Sequence, residues 1–257
     1  MTKPGRIKLY FFFVLFAAGC GTVGTYNPAT ERKELIFIPT DYEVQMGKQI
    51  HQQITAQYKF STRADAVARV ERIGQKVSQV SDRQDFEYHF YLIEKDELNA
   101  FTVPGGNVYI FSGLLDKLHS DDEIAAVLGH EVGHCAARHT IKKFQAAMGY
   151  NLLGDLVLSR VAKDATARQL ASMSSNAVMQ LVFSAYGRQD EYQADHLGLK
   201  YMDLAGYKLE GMLQTFEVLK NASKGPRPPL ILQTHPYIED RITAVKKEIE
   251  RIQKTSQ

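Results

Sequence analysis

The stretch that decides the fold runs from Ser120 to Lys143 and reads S-D-D-E-I-A-A-V-L-G-H-E-V-G-H-C-A-A-R-H-T-I-K-K. It predicts a single helix, because Ser120 is a favourable N-cap and Glu123, three residues later, completes a capping box. Acidic residues occupy its first turn and two lysines its last, which suits the helix dipole. The positions between them are largely apolar, so the helix is expected to be buried.

Within this helix lies the pentapeptide H-E-V-G-H, from His130 to His134. Residues four apart on a helix differ by about 40° in azimuth, so both imidazoles project from one face and can share a metal ion. Glu131 is rotated by roughly 100° from His130 and can reach a water on the metal without being a ligand. The alternative is a pair of surface histidines on an amphipathic helix. Burial of these groups is costly unless they bind a metal, so the pattern indicates a zinc hydrolase.

Length and composition indicate a globular protein with one large domain. The chain has 257 residues, of which 44% are hydrophobic and 23% charged. Residues 1–19 combine three basic residues with the ten-residue apolar run Leu9 to Ala18, which is too short to span a bilayer and predicts a signal peptide. The ending A-A-G-C resembles a lipobox, so Cys20 is the predicted site of lipidation. An ordinary secretory signal cleaved nearby is the alternative.

Charge and cysteine content exclude two further classes. Removal of residues 1–19 takes away three of the 31 basic residues and none of the 29 acidic ones, so the net charge of the remainder is −1. That balance excludes a nucleic-acid partner. Once Cys20 carries lipid, only Cys135 remains, so no intramolecular disulfide can form. Cys135 is expected to be a small buried residue rather than a metal ligand.

The rest of the chain predicts an α+β domain, predominantly helical, with a small β-sheet beside the H-E-x-x-H helix. Residues 20–40 are predicted to form a tether and residues 41–257 the domain. The segment 144–186 is apolar and lightly charged. It could be part of the core, a mobile lid, or a surface that contacts a membrane or a client protein. The predicted helices are 41–58, 63–80, 188–204, 209–222 and 237–253, and the predicted strands are 86–93 and 107–111.

A third metal ligand is expected, because catalytic zinc usually takes three protein ligands and a water. The candidate is Glu191 in D-E-Y-Q-A-D, residues 190–195. Asp195 lies four residues later on the same helical face and can accept a hydrogen bond from the far nitrogen of a ligand histidine. A solvated acidic face is the alternative, but the apolar residues around the pair favour partial burial.

Five motifs occur in order along most of the chain: N-A-F at 99–101, G-G-x-V-Y-I at 105–110, H-E-V-G-H at 130–134, E-x-x-A-D at 191–195 and H-P-x-x-x-x-R at 235–241. Together they resemble the HtpX/CaaX-prenyl-protease-like zinc metallopeptidases, peptidase family forty-eight. The resemblance implies a zincin-like metalloprotease domain of the gluzincin type. It also implies one zinc ion per chain, held by His130, His134 and Glu191, with Glu131 as general base.

The resemblance places His235 and Arg241 on the rim that faces the substrate. We expect His235 to stabilise the oxyanion of the tetrahedral intermediate, with Arg241 orienting it. A second possibility is that His235 binds the metal as a fourth ligand and closes the site when idle. The other histidines, His139 among them, are expected to be structural.

Substrate binding is expected at the two segments that precede the H-E-x-x-H helix. The strand beginning at Val108 could offer a free edge to which an extended polypeptide adds by backbone pairing. Such pairing reads conformation more than sequence and suits unfolded clients. The expected substrate-binding residues are Asn99, Ala100, Phe101, Val108 and Tyr109.

The expected function is therefore zinc-dependent endoproteolysis of unfolded or misassembled envelope proteins in the bacterial periplasm. Within the family the chain looks more like the periplasmic lipoprotein members, held at a membrane by the lipid on Cys20, than like the integral-membrane ones. Gly21 stands where an aspartate typically retains such lipoproteins at the inner membrane, which favours the outer one. The alternative is a zinc-containing lipoprotein that acts as a chaperone or adaptor with little proteolysis. Retention of Glu131 favours the enzyme.

Overall fold

The computed structural model of the protein describes residues 25–36, 38–148, 174–225 and 227–255. These residues form a predominantly helical α+β fold with a small sheet beside the H-E-x-x-H helix, which confirms the predicted fold class. The strands are β1 Thr25–Asn27, β2 Arg32–Glu34, β3 His89–Ile93, β4 Ala100–Val103 and β5 Asn107–Phe111. The helices are α1 Thr40–Gln57, α2 Ala64–Ser78, α3 Ser112–Leu115, α4 Asp121–Ala136, α5 His139–Met148, α6 Ser175–Val182, α7 Arg188–Leu204, α8 Glu210–Ala222, α9 Leu230–Thr234 and α10 Ile238–Thr255.

The main sheet has three strands in the order β3-β5-β4, with β5 parallel to β3 and antiparallel to β4. Gly105 and Gly106 turn the chain between β4 and β5 with φ angles of 77° and 82°, a conformation that favours glycine. The strand predicted at 107–111 is confirmed, and the one predicted at 86–93 begins only at His89. The sequence analysis did not predict β4. This strand has only four residues, and it leads straight into the turn.

The prediction that β5 presents a free edge is wrong. β5 lies between β3 and β4 and is hydrogen-bonded on both sides, and Val108 and Tyr109 are fully buried. The strand that borders α4 is β4: the hydroxyl of Thr102 on β4 lies 2.8 Å from the sulfur of Cys135 on α4. The edge strand next to α4 is therefore β4, and its four residues are buried.

The H-E-x-x-H helix begins as predicted but ends earlier. The hydroxyl of Ser120 accepts the backbone N–H of Glu123 at 3.2 Å, and the Glu123 carboxylate accepts the backbone N–H of His119 at 2.8 Å. The helix stops at Ala136, because Arg138 adopts a left-handed conformation with φ of 59°. The prediction of one helix through Lys143 is therefore wrong, and α5 begins in a new direction at His139.

A buried ion pair holds the C-terminal end of α4. Arg83 donates to the backbone carbonyl of Cys135 at 3.2 Å and to both carboxylate oxygens of Glu43, the shorter contact being 2.6 Å. Its positive charge suits the negative end of the helix dipole. Cys135 is buried as expected, and burial raises the pKa of its thiol to about 12. The α4 end is thus fixed to α1 and to the loop before β3.

Helix α7 packs along α4 at a close approach that small residues permit. A Cβ atom on Gly133 of α4 would lie 2.8 Å from the backbone oxygen of Ala194, and one on Gly198 of α7 would lie 3.0 Å from the backbone nitrogen of His130. Because these distances are shorter than ordinary contacts, both positions need glycine. The two helices bring the E-x-x-A-D motif beside the H-E-V-G-H motif.

Apart from the H-E-x-x-H helix, the five helices predicted outside 144–186 are confirmed to within two residues at each end. Of the segment 144–186, residues 149–173 lie outside the described residues. In its described parts, Phe144, Val178 and Val182 are buried in a core cluster with α1 and the outer face of the sheet. Those parts belong to the core, which is one of the three possibilities given for this segment. Among the described residues, no helix is both long and apolar enough to cross a membrane.

The predicted tether, residues 20–40, is not a free spacer over its second half. Strands β1 and β2 form an antiparallel hairpin. Glu34 on β2 forms an ion pair with Lys142 on α5, with 2.8 Å between Oε1 and Nζ. Ile36 and Ile38 are buried in the same core cluster as α1. The predicted boundary at residue 41 is therefore wrong, because apolar residues before it pack on the domain. The predicted signal peptide and Cys20 lie outside the described residues.

Candidate metal centre

Four buried side chains converge between α4, α7 and the residue that follows α9. His130 and His134 come from α4, Glu191 from α7, and His235 from the C-cap of α9. One ligand atom from each lies within 4.8 Å of all the others. The Nε2 atoms of His130 and His134 are 3.0 Å apart, and Nδ1 of His235 lies 3.1 Å from Oε1 of Glu191. The residues expected to bind metal are thus brought together.

The donor set fits a metal ion. Two imidazoles and a carboxylate are a common ligand combination for a divalent transition metal, and the third imidazole, that of His235, lies close enough to be a fourth ligand. Burial lowers the pKa of His134 well below its ordinary value, so its ring stays neutral and offers a lone pair. Burial alone would raise the pKa of Glu191, but Arg241 and His235 hold it well below the ordinary value, so it is an anion.

Asp195 lies behind His130, as the spacing predicted. Its Oδ1 accepts a hydrogen bond from Nδ1 of His130 at 2.8 Å, which leaves Nε2 of the ring free to face the other ligands. Burial would raise the pKa of Asp195, but Arg241 outweighs it and lowers that pKa. The ionised carboxylate thereby fixes the tautomer and the orientation of His130.

Arg241 lies beneath the centre, and its expected place on the substrate-facing rim is wrong. Its guanidinium donates to both oxygens of Asp195 at 2.7 Å and forms an ion pair with Oε2 of Glu191 at 2.6 Å. The residue is only 4% exposed. The predicted link to His235 runs through the backbone, because Nη1 lies 3.4 Å from the carbonyl oxygen of His235. A bidentate arginine of this kind positions two carboxylates at once.

Glu131 is buried next to the ligands and keeps one oxygen free. Its exposed fraction is 1%, and Oε2 has no hydrogen-bond partner among the described residues. Oε1 lies 3.4 Å from Nε2 of His235. Burial raises the pKa of the Glu131 carboxyl, although His235 and His130 oppose that change. A carboxyl with a raised pKa, aimed at a cluster of ligands, is suited to proton transfer.

His139 also belongs to the site. The prediction that it is only structural did not anticipate its contact with His134. The break at Arg138 returns α5 toward the centre, so Nδ1 of His139 lies 3.0 Å from Nδ1 of His134. The ring of Tyr186 stacks on His134 with 3.9 Å between centroids. Lys143 lies 3.8 Å above that Tyr186 ring. Spacing on one continuous helix could not reveal these contacts, because the helix is not continuous.

The expected substrate-binding residues divide into two groups. Val108 and Tyr109 lie on the central strand, enclosed by its neighbours. Asn99 precedes β4, and Ala100 and Phe101 are its first two residues. Asn99 is fully buried, yet neither atom of its side-chain amide has a partner within residues 25–36, 38–148, 174–225 and 227–255.

The start of β4 is connected to the metal centre through α9. The backbone N–H of Ile231 donates to the carbonyl of Leu98 at 3.0 Å, and the N–H of His235 donates to the carbonyl of Ile231 at 2.7 Å. The segment that contains Asn99 is therefore one helical turn away from His235.

Comparison with known proteins agrees with this geometry. The profile described as Peptidase family M48 matches residues 64–249. The mitochondrial metalloendopeptidase OMA1 of Schizosaccharomyces pombe is 26% identical over 254 residues, covering 95% of this chain and 73% of that protein. The beta-barrel assembly-enhancing protease of Escherichia coli is 26% identical over 207 residues, covering 78% of this chain and 42% of that protein. This chain thus spans less than half the length of that bacterial relative.

The matched residues include all five motifs in full, with the H-E-x-x-H helix and both Glu191 and Asp195 of α7 among them. The predicted family and the prediction of a metalloendopeptidase are confirmed at the level of that family. The chain belongs to peptidase family M48.

Proposed function

We propose that this chain is a zinc-dependent endopeptidase that hydrolyses peptide bonds in unfolded or misassembled proteins of the bacterial cell envelope. The observation that carries the proposal is the position of Glu131. Its carboxylate is buried, keeps Oε2 free of other described residues, and adjoins four convergent ligand atoms. A centre that only bound metal for structure would not need a free carboxylate there.

Zinc is the proposed metal, with one ion per chain held by His130, His134 and Glu191. Two imidazoles and a glutamate form a ligand set of catalytic zinc, and the remaining position is available for chemistry. When bound, zinc supplies a Lewis acid that polarises the scissile carbonyl and lowers the pKa of the attacking water toward ~7. Asp195 hydrogen-bonds His130, and Arg241 forms an ion pair with Glu191, so both residues position the proposed ligands.

Glu131 is the proposed general base and then the general acid. Because burial raises the pKa of its carboxyl, the carboxylate can accept the proton of the attacking water near neutral pH. The same carboxyl then gives that proton to the leaving amine. Its free Oε2 is the oxygen available for both transfers.

His235 has two proposed roles that belong to different positions of its ring. In the structure Nδ1 lies 3.2 Å from Nε2 of His130, which supports the fourth-ligand position and a closed centre. In the observed position burial would lower the pKa of His235, but Glu191 and Glu131 raise it above the ordinary value. Displaced from the ligands, a protonated ring is a donor for the oxyanion. If His235→Ala abolished cleavage without raising it under any condition, the closing role would be lost.

Polypeptide substrates are proposed to bind along β4. β4 is one of the two edge strands of the main sheet and the one that borders α4, so an extended chain could add to it by backbone pairing. The unpartnered amide of Asn99 offers one donor and one acceptor to a peptide backbone. The name of the E. coli relative refers to β-barrel assembly, which supports a client in the envelope. Lipid on Cys20 would hold the enzyme at a membrane, with the outer one favoured.

The test pairs zinc stoichiometry with proteolysis of a denatured protein by the mature chain and by Glu131→Gln. We expect one zinc per chain in both proteins, cleavage by the wild type, and a loss of at least a hundredfold in the variant. Equal cleavage by both proteins would rule out the assignment. Absence of cleavage by either, with prevention of aggregation by both, would favour the chaperone or adaptor reading.

A further inference from the structure

The hairpin formed by β1 and β2 leaves two large apolar side chains in solvent. Tyr26 on β1 is 57% exposed, and Leu35, the residue after β2, is 58% exposed. The other large hydrophobic side chains that stay exposed among the described residues are Leu204 and Tyr237, which lie elsewhere in the chain. Two of these four side chains therefore belong to one short hairpin.

The backbone around Leu35 keeps its side chain outside the domain. The N–H of Ile36 donates to the carbonyl of Glu34 at 2.9 Å, which makes a tight turn with Leu35 at its centre. The carbonyl of Leu35 accepts a hydrogen bond from the side-chain amide of Gln145 on α5 at 2.8 Å. Ile36 is buried in the core cluster with α1. The chain thus turns inward at Ile36 and leaves Leu35 at the apex of the turn.

The hairpin is fixed to the domain through Glu34. The carboxylate of Glu34 accepts hydrogen bonds from the side-chain amide of Asn27 at 2.9 Å and from the hydroxyl of Thr30 at 3.0 Å. It also forms the ion pair with Lys142 on α5. Helix α5 begins with His139, which lies at the metal centre. A surface that contacts the outside of this hairpin would therefore set the orientation of the metal centre.

The exposed charges of the hairpin favour a surface that carries phosphate groups. Lys33 stands opposite Tyr26 in the antiparallel pair, so the two side chains project from one face. Arg32 and Lys33 are both exposed, against the single exposed acid Glu31, and Glu34 is already paired. Tyrosine is enriched at membrane–water interfaces, and lysine can place its stem along apolar surface while its ammonium reaches the headgroups.

We propose that Tyr26, Lys33 and Leu35 form a membrane-contacting face, which lies on the headgroup region of the bilayer that holds the lipid anchor. The inference rests on the proposed lipidation of Cys20. Thr25, the first residue of β1, is the fifth residue after Cys20. Five residues span at most about 18 Å when fully extended, so the anchor keeps the hairpin close to the bilayer surface.

The short connection to the anchor makes a small face sufficient. Two apolar side chains and a lysine would bind a bilayer only weakly from solution. Attached through Cys20, the same face meets the bilayer at a high effective concentration, so weak contacts are enough to keep it there. The domain then holds one orientation on the membrane, with α5 and the hairpin on the membrane side, instead of rotating freely on a tether.

The test uses the full chain, processed and lipidated in a bacterial host and placed in vesicles of phosphatidylethanolamine and phosphatidylglycerol. Leu35→Cys carries a nitrobenzoxadiazole probe, whose emission depends on the polarity around it. Leu204→Cys is the matched control, because Leu204 is also a leucine with 58% of its surface exposed. Labelling is confined to the new thiol, since Cys20 carries lipid and Cys135 is buried. Thermal unfolding of each variant shows whether it folds.

We expect the probe at position 35 to gain emission severalfold on vesicles, with a shift to shorter wavelength. Lipids that carry a nitroxide near the headgroup should quench it, whereas aqueous iodide should not. The probe at position 204 should show the reverse pattern, with emission as in solution and quenching by iodide. If the two probes behaved alike, the inference would be overturned.

A second pair of variants tests the face without a probe on Leu35. The probe is placed at Tyr26→Cys, and either Leu35→Glu or Leu204→Glu is added. Because a carboxylate is costly to bring among lipid chains and is repelled by phosphate, Leu35→Glu should return the probe at position 26 to water. Leu204→Glu should leave it in the membrane. Equal effects of the two glutamates would contradict a face that includes Leu35.

Mass spectrometry of the purified chain separates this inference from the proposals before it. If Cys20 carries no lipid, the inference fails together with the anchor on which it rests. If Cys20 carries lipid and the probe at position 35 stays in water, the membrane-contacting face alone fails. Neither outcome bears on the peptidase proposal, which the comparison with Glu131→Gln tests separately.

Discussion

The imidazoles of His134 and His139 face each other through their Nδ1 atoms at 3.0 Å. Because Nε2 of His134 is directed at the other ligands, its Nδ1 carries the hydrogen and donates to His139. His139 then carries its own hydrogen on Nε2, which donates to Oε1 of Gln193 at 2.9 Å. This sequence of hydrogen bonds is complete only when His139 is neutral. Burial lowers the pKa of His139 to about 4, which keeps it neutral at physiological pH.

His139 is therefore expected to support metal binding through His134. His139→Leu removes the acceptor and leaves Nδ1 of His134 buried without a partner, so we expect zinc affinity to fall 10- to 100-fold. His139→Asn can place a carbonyl oxygen near the position of Nδ1 and should retain most of the affinity. Competition with a chromophoric chelator measures both. Equal losses in the two variants would mean that the ring matters for packing rather than as an acceptor.

The same residue gives the metal-free protein a defined dependence of stability on pH. The unfolded chain protonates His139 below pH 6.5, whereas the folded chain does so only near pH 4. The unfolded state therefore binds more protons in this window, and the free energy of unfolding falls as the pH falls through it. The contribution of His139 is on the order of 2 to 3 kcal/mol between pH 7.5 and 4.5.

Urea denaturation with a chelator present, at several pH values in that range, measures the effect. His139→Asn should show a shallower decline than the wild type. His134 titrates in both proteins, so their difference isolates His139. Parallel declines in the two proteins would contradict the pKa that burial is expected to impose.

The sequence predicted the residues that meet at the candidate metal centre because spacing on a helix is local. His130 and His134 share a face by helix geometry alone, and Glu191 with Asp195 repeats that geometry on a second helix. The role of Arg241 was misplaced because nothing in the spacing of the H-P-x-x-x-x-R motif shows that α10 passes beneath the centre. His139 was missed because A-A-R-H contains neither glycine nor proline to mark the end of α4.

The sheet shows a similar limit. Strands β3 and β5 could be recognised from their aromatic and β-branched residues, yet their order could not, because pairing partners depend on contacts between distant segments. The short β4 lies between β3 and β5 in sequence but, among the described strands, pairs with β5 alone. Because of that pairing β5 lies inside the sheet and β4 at one edge, so the proposed place of the substrate changes from β5 to β4.

Arg241 neutralises two buried carboxylates, so its loss should be costly. Arg241→Met leaves Asp195 and Glu191 without their cation, and we expect the metal-free protein to lose about 3 to 5 kcal/mol of its free energy of unfolding. Arg241→Lys keeps the charge but cannot hydrogen-bond both carboxylates at once. Its free energy of unfolding should therefore lie between those of the wild type and Arg241→Met. Urea unfolding with a chelator measures these losses.

Bound zinc should reduce the cost of Arg241→Met, because the ion supplies positive charge to Glu191. Asp195→Asn combined with Arg241→Met should be less destabilised than the sum of the single changes, since each removes the partner of the other. A strictly additive double variant, or an Arg241→Met protein as stable as the wild type, would contradict the assigned ion pairs.

Replacing the glycines at the close approach of α7 to α4 distinguishes helix propensity from steric overlap. The two effects change the free energy of unfolding in opposite directions. Alanine is a better helix former than glycine by about 1 kcal/mol, so helix propensity alone would make Gly133→Ala and Gly198→Ala stabilising. The added Cβ, however, would lie 2.8 Å or 3.0 Å from backbone atoms of the opposite helix, which cannot move as a side chain can. The helices must then separate, at a cost of about 1 to 3 kcal/mol.

Separation also carries Glu191 away from the two histidines, so zinc affinity should fall at least tenfold together with stability. Gly225→Ala is the control, because its Cβ would meet its nearest neighbour at 3.4 Å, an ordinary contact. Chelator competition and thermal unfolding are measured on all three variants. If Gly133→Ala and Gly198→Ala lost stability but bound zinc as the wild type does, the glycines would serve packing alone, and the position of Glu191 would have to be set by Arg241 instead.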